Sequence, residues 1–209
     1  SQVSEMIKNS ESGQVVLTVH REEVEEPLEI TVEIRDVELP SVFHEMLNDE
    51  TGYIRITEFK GVTYEQYMTA FSDLSDQGME KLVVDLRDNP GGLLSSVCDI
   101  LNEILPEGLI VYTEDKYGNR TEEKSDGENS LDMPLAVLVN ENSASASEIF
   151  AGAVQDYGIG TIVGTNTYGK GVVQSIYPLS DGSAVKLTVA NYYTPNGNNI
   201  NEVGIQPDV

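Results

Sequence analysis

From Gly52 onward, short apolar runs with strand character alternate with apolar stripes at helical spacing, the pattern of an α/β chain. Tyr53 to Phe59 alternates as a strand and stops at Gly61, and Tyr64, Tyr67, Met68, Phe71 and Leu74 then form a helical stripe. Leu82 to Leu86 predicts a strand ending in Asn89-Pro90-Gly91-Gly92, followed by a helix carrying Leu93, Leu94, Val97, Leu101 and Leu105. Leu109 to Tyr112 predicts another strand, and the polar stretch 116–132 an exposed hairpin or loop. Leu135 to Val139 is short and wholly apolar, which places it inside a sheet. A helix over Ser145 to Asp156, with Ile149, Phe150 and Val154 on its apolar face, and a strand over Thr161 to Gly164 repeat the logic. Val172 to Pro178 and Ala184 to Val189 bracket Asp181-Gly182, a hairpin signal, and Asn191 to Val209 reads as largely irregular.

The first 38 residues read as a separate piece. Val3, Met6 and Ile7 sit at helical spacing with Gly13 as a stop, and Val15 to Val19 and Leu28 to Ile34 read as strands around the acidic turn Glu22 to Glu26 with Pro27. A helix and two strands bury too little to stand alone, so residues 1–38 are expected to be the remainder of a larger module and 39–209 the main domain.

Charge narrows the function classes. Thirty-six acidic against 12 basic residues give a net charge of −24, which repels phosphate backbones, so no nucleic-acid partner is expected. No apolar run reaches the roughly 18 residues of a membrane span. The single cysteine, Cys98, shares helical spacing with Leu94, Leu101 and Leu105 and reads as a small core residue. No cofactor or metal set is visible.

The candidate chemistry lies between Asn140 and Gln174. Ser143, Ser145 and Ser147 alternate with alanines where a buried strand gives way to a helix, a place where unpaired N–H groups favour an oxyanion. Helix capping would need one serine only. The two histidines, His20 and His44, both fall in the N-terminal quarter, and His44 lies in a connecting segment, so a base for a serine is sought among the lysines. Between Asp126 and Val209 the cations are Lys170 and Lys186; Lys186 sits on an alternating strand as a solvated side chain, which leaves Lys170. A lysine base must be neutral, and burial among apolar groups is the expected means, since Asp181 is the one acid between Tyr157 and Lys186. Gly164 to Lys170 also fits the first part of a phosphate-binding loop, but Gly171 stands where Ser or Thr is needed and a strand follows. Gly91 or Gly92 can bring a backbone N–H close to a ligand.

Asp85-Leu86-Arg87-Asp88-Asn89-Pro90-Gly91-Gly92, Asn142-Ser143-Ala144-Ser145-Ala146-Ser147-Glu148 and Tyr168-Gly169-Lys170-Gly171-Val172-Val173-Gln174 together resemble the carboxy-terminal processing (tail-specific) proteases. The resemblance spans about Pro40 to Val209 and implies a ClpP/crotonase-like core of stacked β-β-α units, truncated at its C-terminus, with residues 1–38 as the last part of a PDZ domain. It also implies that Ser145 is the nucleophile, Lys170 the base and Gln174 the residue that orients the lysine. The N–H groups of Gly91 and Ala146 would form the oxyanion hole. Its expected partners are protein or peptide substrates, unfolded or tail-exposed; a homodimer is compatible with it. Its expected location is outside the cytoplasm, in the periplasm or cell envelope, with a membrane anchor in the longer protein. Two rival readings stand beside it: a non-catalytic peptide-binding fragment, and a crotonase-like thioester enzyme indifferent to loss of Lys170.

Overall fold

Strands and helices alternate along most of the chain in the computed structural model, which describes residues 7, 10, 13–22, 26–35 and 39–209. Two units separate at Leu39/Pro40. In the first, β1 (Gln14–Val19) and β2 (Leu28–Glu33) pair antiparallel, with Val15 opposite Val32 and Leu17 opposite Ile30. Leu17, Ile30 and Val32 are exposed. The expected N-terminal helix at Val3 and Met6, and the middle of the acidic turn at 23–25, lie outside the described residues.

The second unit carries a five-stranded sheet in the order β3 (Val42–Met46), β4 (Thr51–Ile56), β5 (Lys81–Asp85), β8 (Leu135–Val139), β9 (Gly160–Gly164). Strands β4, β5, β8 and β9 run parallel, and β3 is an antiparallel edge. Helices α1 (Thr63–Asp76), α2 (Leu94–Asn102) and α3 (Ala146–Tyr157) connect or cover these strands. The apolar run of β8 is explained by its place between β5 and β9, where Val137 and Val139 are buried. Ile54, Ile56, Val84, Leu86, Phe150 and Val154 complete the centre of this core.

A second, antiparallel sheet has the order β10 (Val172–Pro178), β11 (Ala184–Tyr193), β6 (Gly108–Asp115), β7 (Arg120–Ser125). Helix α2 packs against β6 and β7, while α3 packs against both β9 and β6 and so ties the two sheets together. Tyr112 and Tyr193 stack with centroids 4.9 Å apart, and the Arg120 guanidinium lies over Tyr112 at 4.5 Å.

Two expectations change, and one left open between hairpin and loop is decided. His44 belongs to strand β3, not to a connecting segment, and its Nε2 lies 3.3 Å from Asp73 Oδ2. Stretch 116–132 is a hairpin in its first part, because β7 folds back on β6 despite its polar sequence; being an edge strand, it needs few apolar residues. Asn191 to Tyr193 are not irregular: they extend β11 and pair with β6. Beyond them the chain returns along β9, where the N–H groups of Asp208 and Val209 donate to the Ile162 carbonyl and blunt that edge.

Each parallel strand ends on the same side of the sheet. Segments 86–92, 140–145 and 165–170 leave the carboxyl ends of the adjacent strands β5, β8 and β9, the place where open α/β sheets bind ligands.

Cys98 is a core residue as its spacing predicts, and burial pushes its thiol up to about 12, with the carboxylates of Glu123 and Asp99 adding to the effect. Its alkylation by iodoacetamide at pH 8 is expected to be at least about a hundredfold slower than that of a free cysteine, and to reach the free rate in urea; fast reaction of the folded chain would show that Cys98 is accessible.

Candidate active site

The three alternating serines have different fates once the chain folds. Ser143 is buried and its hydroxyl donates to the Leu86 carbonyl at 2.8 Å, so it ties the end of β8 to the end of β5. Ser147 is buried too and donates to the Asn89 carbonyl at 3.0 Å. Ser145 is half-buried, at the N-cap of α3, with φ 56° and ψ −113°. A side chain in that region costs on the order of 1–3 kcal/mol, which the surrounding bonds must hold in place.

The bonds converge on Glu148. This carboxylate is buried in the first turn of α3, and each oxygen accepts two donors. Oε2 accepts the Ser145 N–H at 2.8 Å and the Lys170 N–H at 2.8 Å; Oε1 accepts the Gly169 N–H at 2.6 Å and the Thr167 hydroxyl at 2.7 Å. A buried carboxylate without such partners would be strongly unfavourable, and the helix N-terminus adds further positive potential. One side chain therefore holds the backbone of the serine turn against that of the lysine loop. Thr167 passes the restraint on: its hydroxyl oxygen accepts the Ile205 N–H at 2.7 Å. The Glu202 N–H donates to the Gly169 carbonyl at 2.8 Å, so segment 202–205 braces the loop from behind.

Asn89 does the same for the glycine turn. It is fully buried; its Nδ2 donates to the Ile56 carbonyl, its Oδ1 accepts the Gly91 N–H at 2.8 Å, and its own carbonyl accepts both the Ala144 N–H and the Ser147 hydroxyl at 3.0 Å. Gly91 (φ 101°) has to be glycine. A Cβ there would sit 2.8 Å from Ser145 Cβ and 2.9 Å from the Ala146 nitrogen, filling the space in front of both. Ala146, the first residue of α3, is buried, and an N–H at this helical position has no partner within the helix.

Beside this turn, Asp85 is buried. Burial alone would push its carboxyl up, but hydrogen bonds from Arg87 and Tyr53 more than offset it and hold the group below the usual carboxylate range. Arg87 donates from Nε at 2.9 Å and from Nη2 at 2.7 Å, a bidentate pair that fixes the strand end.

Of the five residues singled out in the sequence, Ser145, Gly91 and Ala146 meet at one point, but the Gly91 N–H expected to bind an oxyanion is donated to Asn89 Oδ1 in this arrangement. Lys170 comes to them through its backbone only. Its side chain is exposed, so the burial expected to neutralise it is not present in this arrangement, and among the described residues no hydrogen bond joins it to Ser145 Oγ. Gln174 is exposed on β10 beside an irregularity in the pairing with β11, and no hydrogen bond joins it to Lys170 among the described residues. Lys186 is a solvated strand residue. Glu148 was legible as a helix-start signal, Ser-x-x-Glu, although not as the link to the lysine loop; Asn89 and Thr167 carry no local signal of their roles.

A profile of peptidase family S41 matches residues 50–209. The carboxyl-terminal-processing protease of Synechocystis is 46% identical over 157 residues, covering 75% of this chain and 37% of that protein. The carboxy-terminal-processing protease of Bartonella bacilliformis is 38% identical over 202 residues, covering 93% of this chain and 46% of its own length. This chain thus spans less than half the length of these relatives. Among solved structures, the photosystem II D1 C-terminal processing protease superposes with a TM-score of 0.75 at 35% identity, covering 94% of this chain and 55% of that one.

Replacing Glu148 by Gln turns one oxygen into a donor, and either orientation of the amide strands at least one backbone N–H now held by the carboxylate. Glu148→Gln is expected to lower stability by about 2–4 kcal/mol in urea unfolding, the cost of buried donors left without acceptors. A loss below about 0.5 kcal/mol would show that the carboxylate does not hold the two segments together.

Proposed function

The chain belongs to peptidase family S41, and on that premise we propose that it is the catalytic part of a serine endopeptidase that cuts unfolded or tail-exposed proteins. In this reading Ser145 attacks the peptide carbonyl while Lys170, as the neutral amine, takes the hydroxyl proton. The C–O bond forms and the carbonyl oxygen becomes an oxyanion facing the Ala146 N–H and the Gly91 turn. Collapse breaks the C–N bond, and the proton passes from Lys170 to the leaving amine. Water, deprotonated by the same lysine, then releases the acyl group from Ser145. Gln174 orients the lysine.

The observation that carries this reading is the shared Glu148 oxygen, which accepts the N–H of Ser145 and that of Lys170. Such a link makes sense if the two residues act as a unit. The exposed lysine side chain then represents an open arrangement, in which rotation about its own torsions brings Nζ to Ser145 once substrate covers the site. Residues 1–38 are read as the end of a PDZ domain on the strength of the resemblance, with the β1–β2 hairpin as its described part. Among the described residues no helix is long and apolar enough to cross a membrane. One relative, at 44% identity, is named a chloroplastic peptidase; for this chain we propose action outside the cytoplasm.

Degradation of a disordered protein by the chain, by Ser145→Ala and by Lys170→Ala tests the assignment. Both variants are expected to lose at least about a thousandfold in rate. Activity retained in Ser145→Ala would overturn the nucleophile. A fluorophosphonate should label Ser145 in the parent; failure to label would favour the non-catalytic reading.

Gly91→Ala places a methyl where the oxyanion would form. It is expected to abolish fluorophosphonate labelling and to lower the unfolding midpoint, measured by differential scanning fluorimetry. Labelling at the parent rate would exclude the Gly91 turn from the oxyanion site.

A further inference from the structure

At the far end of α2 from the glycine turn, a cavity of about 460 Å³ opens between α1 and the segment 128–133. Gly92 lies just before the start of α2 and Glu103 just past its end, and a nine-residue helix separates its two ends by roughly 13 Å. The cavity is therefore no extension of the serine's surroundings. Its size falls in the range of ligand sites.

The lining has three parts. Tyr67, Met68 and Phe71 of α1 form an apolar wall, with Leu131 and Met133 opposite; the methionines adapt to irregular shapes. Glu103, Glu128 and Asp132 supply carboxylates. Tyr67 is 1% exposed and its hydroxyl has no hydrogen-bond partner among the described residues, which is rare for a buried polar atom. Burial, with the Glu103 charge as a lesser cause, pushes this phenol up from its ordinary value, so it stays a donor.

The cavity is also held in shape. Glu103 accepts the Tyr64 hydroxyl and the Asn129 amide, each at 2.9 Å, and the Leu131 N–H donates to the Ile104 carbonyl at 2.9 Å. The segment over the apolar wall is thus fastened at two points.

We propose that this cavity binds a short peptide segment in which an aromatic or aliphatic side chain stands beside a lysine or arginine. The apolar side chain packs on Met68, Phe71 and Met133. The cation meets Glu103, Glu128 and Asp132. Three carboxylates with no lysine or arginine in the lining exclude an anionic ligand.

The probe is the blocked dipeptide acetyl-Phe-Lys-amide, with acetyl-Phe-Glu-amide as its charge-reversed control. Titrated into the 209-residue chain labelled at methionine methyls, the lysine peptide is expected to shift Met68 and Met133 and to leave Met46 in place. The glutamate peptide should bind at least about tenfold more weakly. Glu103→Gln should reduce the lysine peptide's affinity and its salt dependence together. The proposal is overturned if Met68 and Met133 do not move, if the two peptides bind equally, or if Glu103→Gln binds as the parent does.

Discussion

A single buried carboxylate sets the geometry on which the candidate site depends. Glu148 lies in the first turn of α3, where its charge faces the helix N-terminus, and four donors from two chain segments close around it. Remove those donors and the charge could not be buried; remove the charge and Ser145, Gly169 and Lys170 would lose their shared acceptor. The strained backbone of Ser145 belongs to the same arrangement, because its N–H points at Glu148. The restraint acts on backbone, which fixes where the two residues start while leaving the lysine side chain its own rotations.

Around that carboxylate the sheet does the gathering. Parallel neighbours β5, β8 and β9 deliver three loops to one edge, and each loop is then fastened sideways to the next. Ser143 and Ser147 bind carbonyls of the β5 loop, Asn89 holds the Gly91 turn and the Ala144 N–H, and Tyr168 donates its N–H to the Ser143 carbonyl. Thus two of three chemically equivalent serines spend their hydroxyls on structure, and the third stands half-exposed beside Gly91. The absence of a Cβ at Gly91 is what leaves room in front of it.

Charge is distributed unevenly on this acidic molecule. The carboxylates near the serine turn are tied to donors: Glu148 to the lysine loop, Asp85 to Arg87 and Tyr53, and Asp88 to the amides of Asn140 and Asn142, which hold it below the usual range. Carboxylates at the far end of α2 face an apolar cavity with an unpartnered phenol. The two ends of one short helix therefore offer different chemistry, one suited to an oxyanion and the other to a cation beside an apolar group.

The sequence by itself determined the alternation of strands and helices, because burial on a sheet face and on a helix stripe each leaves a period that can be read. It also determined the three motif segments and the buried state of Cys98. It did not reveal β3, an edge strand that needs little apolar content, it left 116–132 open between hairpin and loop, and it missed the extension of β11, whose partner strand β6 lies some eighty positions away. The motif resemblance pointed to Ser145 among the three serines, but only the tertiary structure gave the physical difference, which lies in the carbonyls that Ser143 and Ser147 reach once β5 and β8 are side by side. Only it showed that the lysine loop is held through backbone and that the Lys170 side chain is exposed. Spacing records what lies next to what along a helix or strand; the bonds that Glu148, Asn89 and Thr167 make join positions that become neighbours only when the sheet has formed.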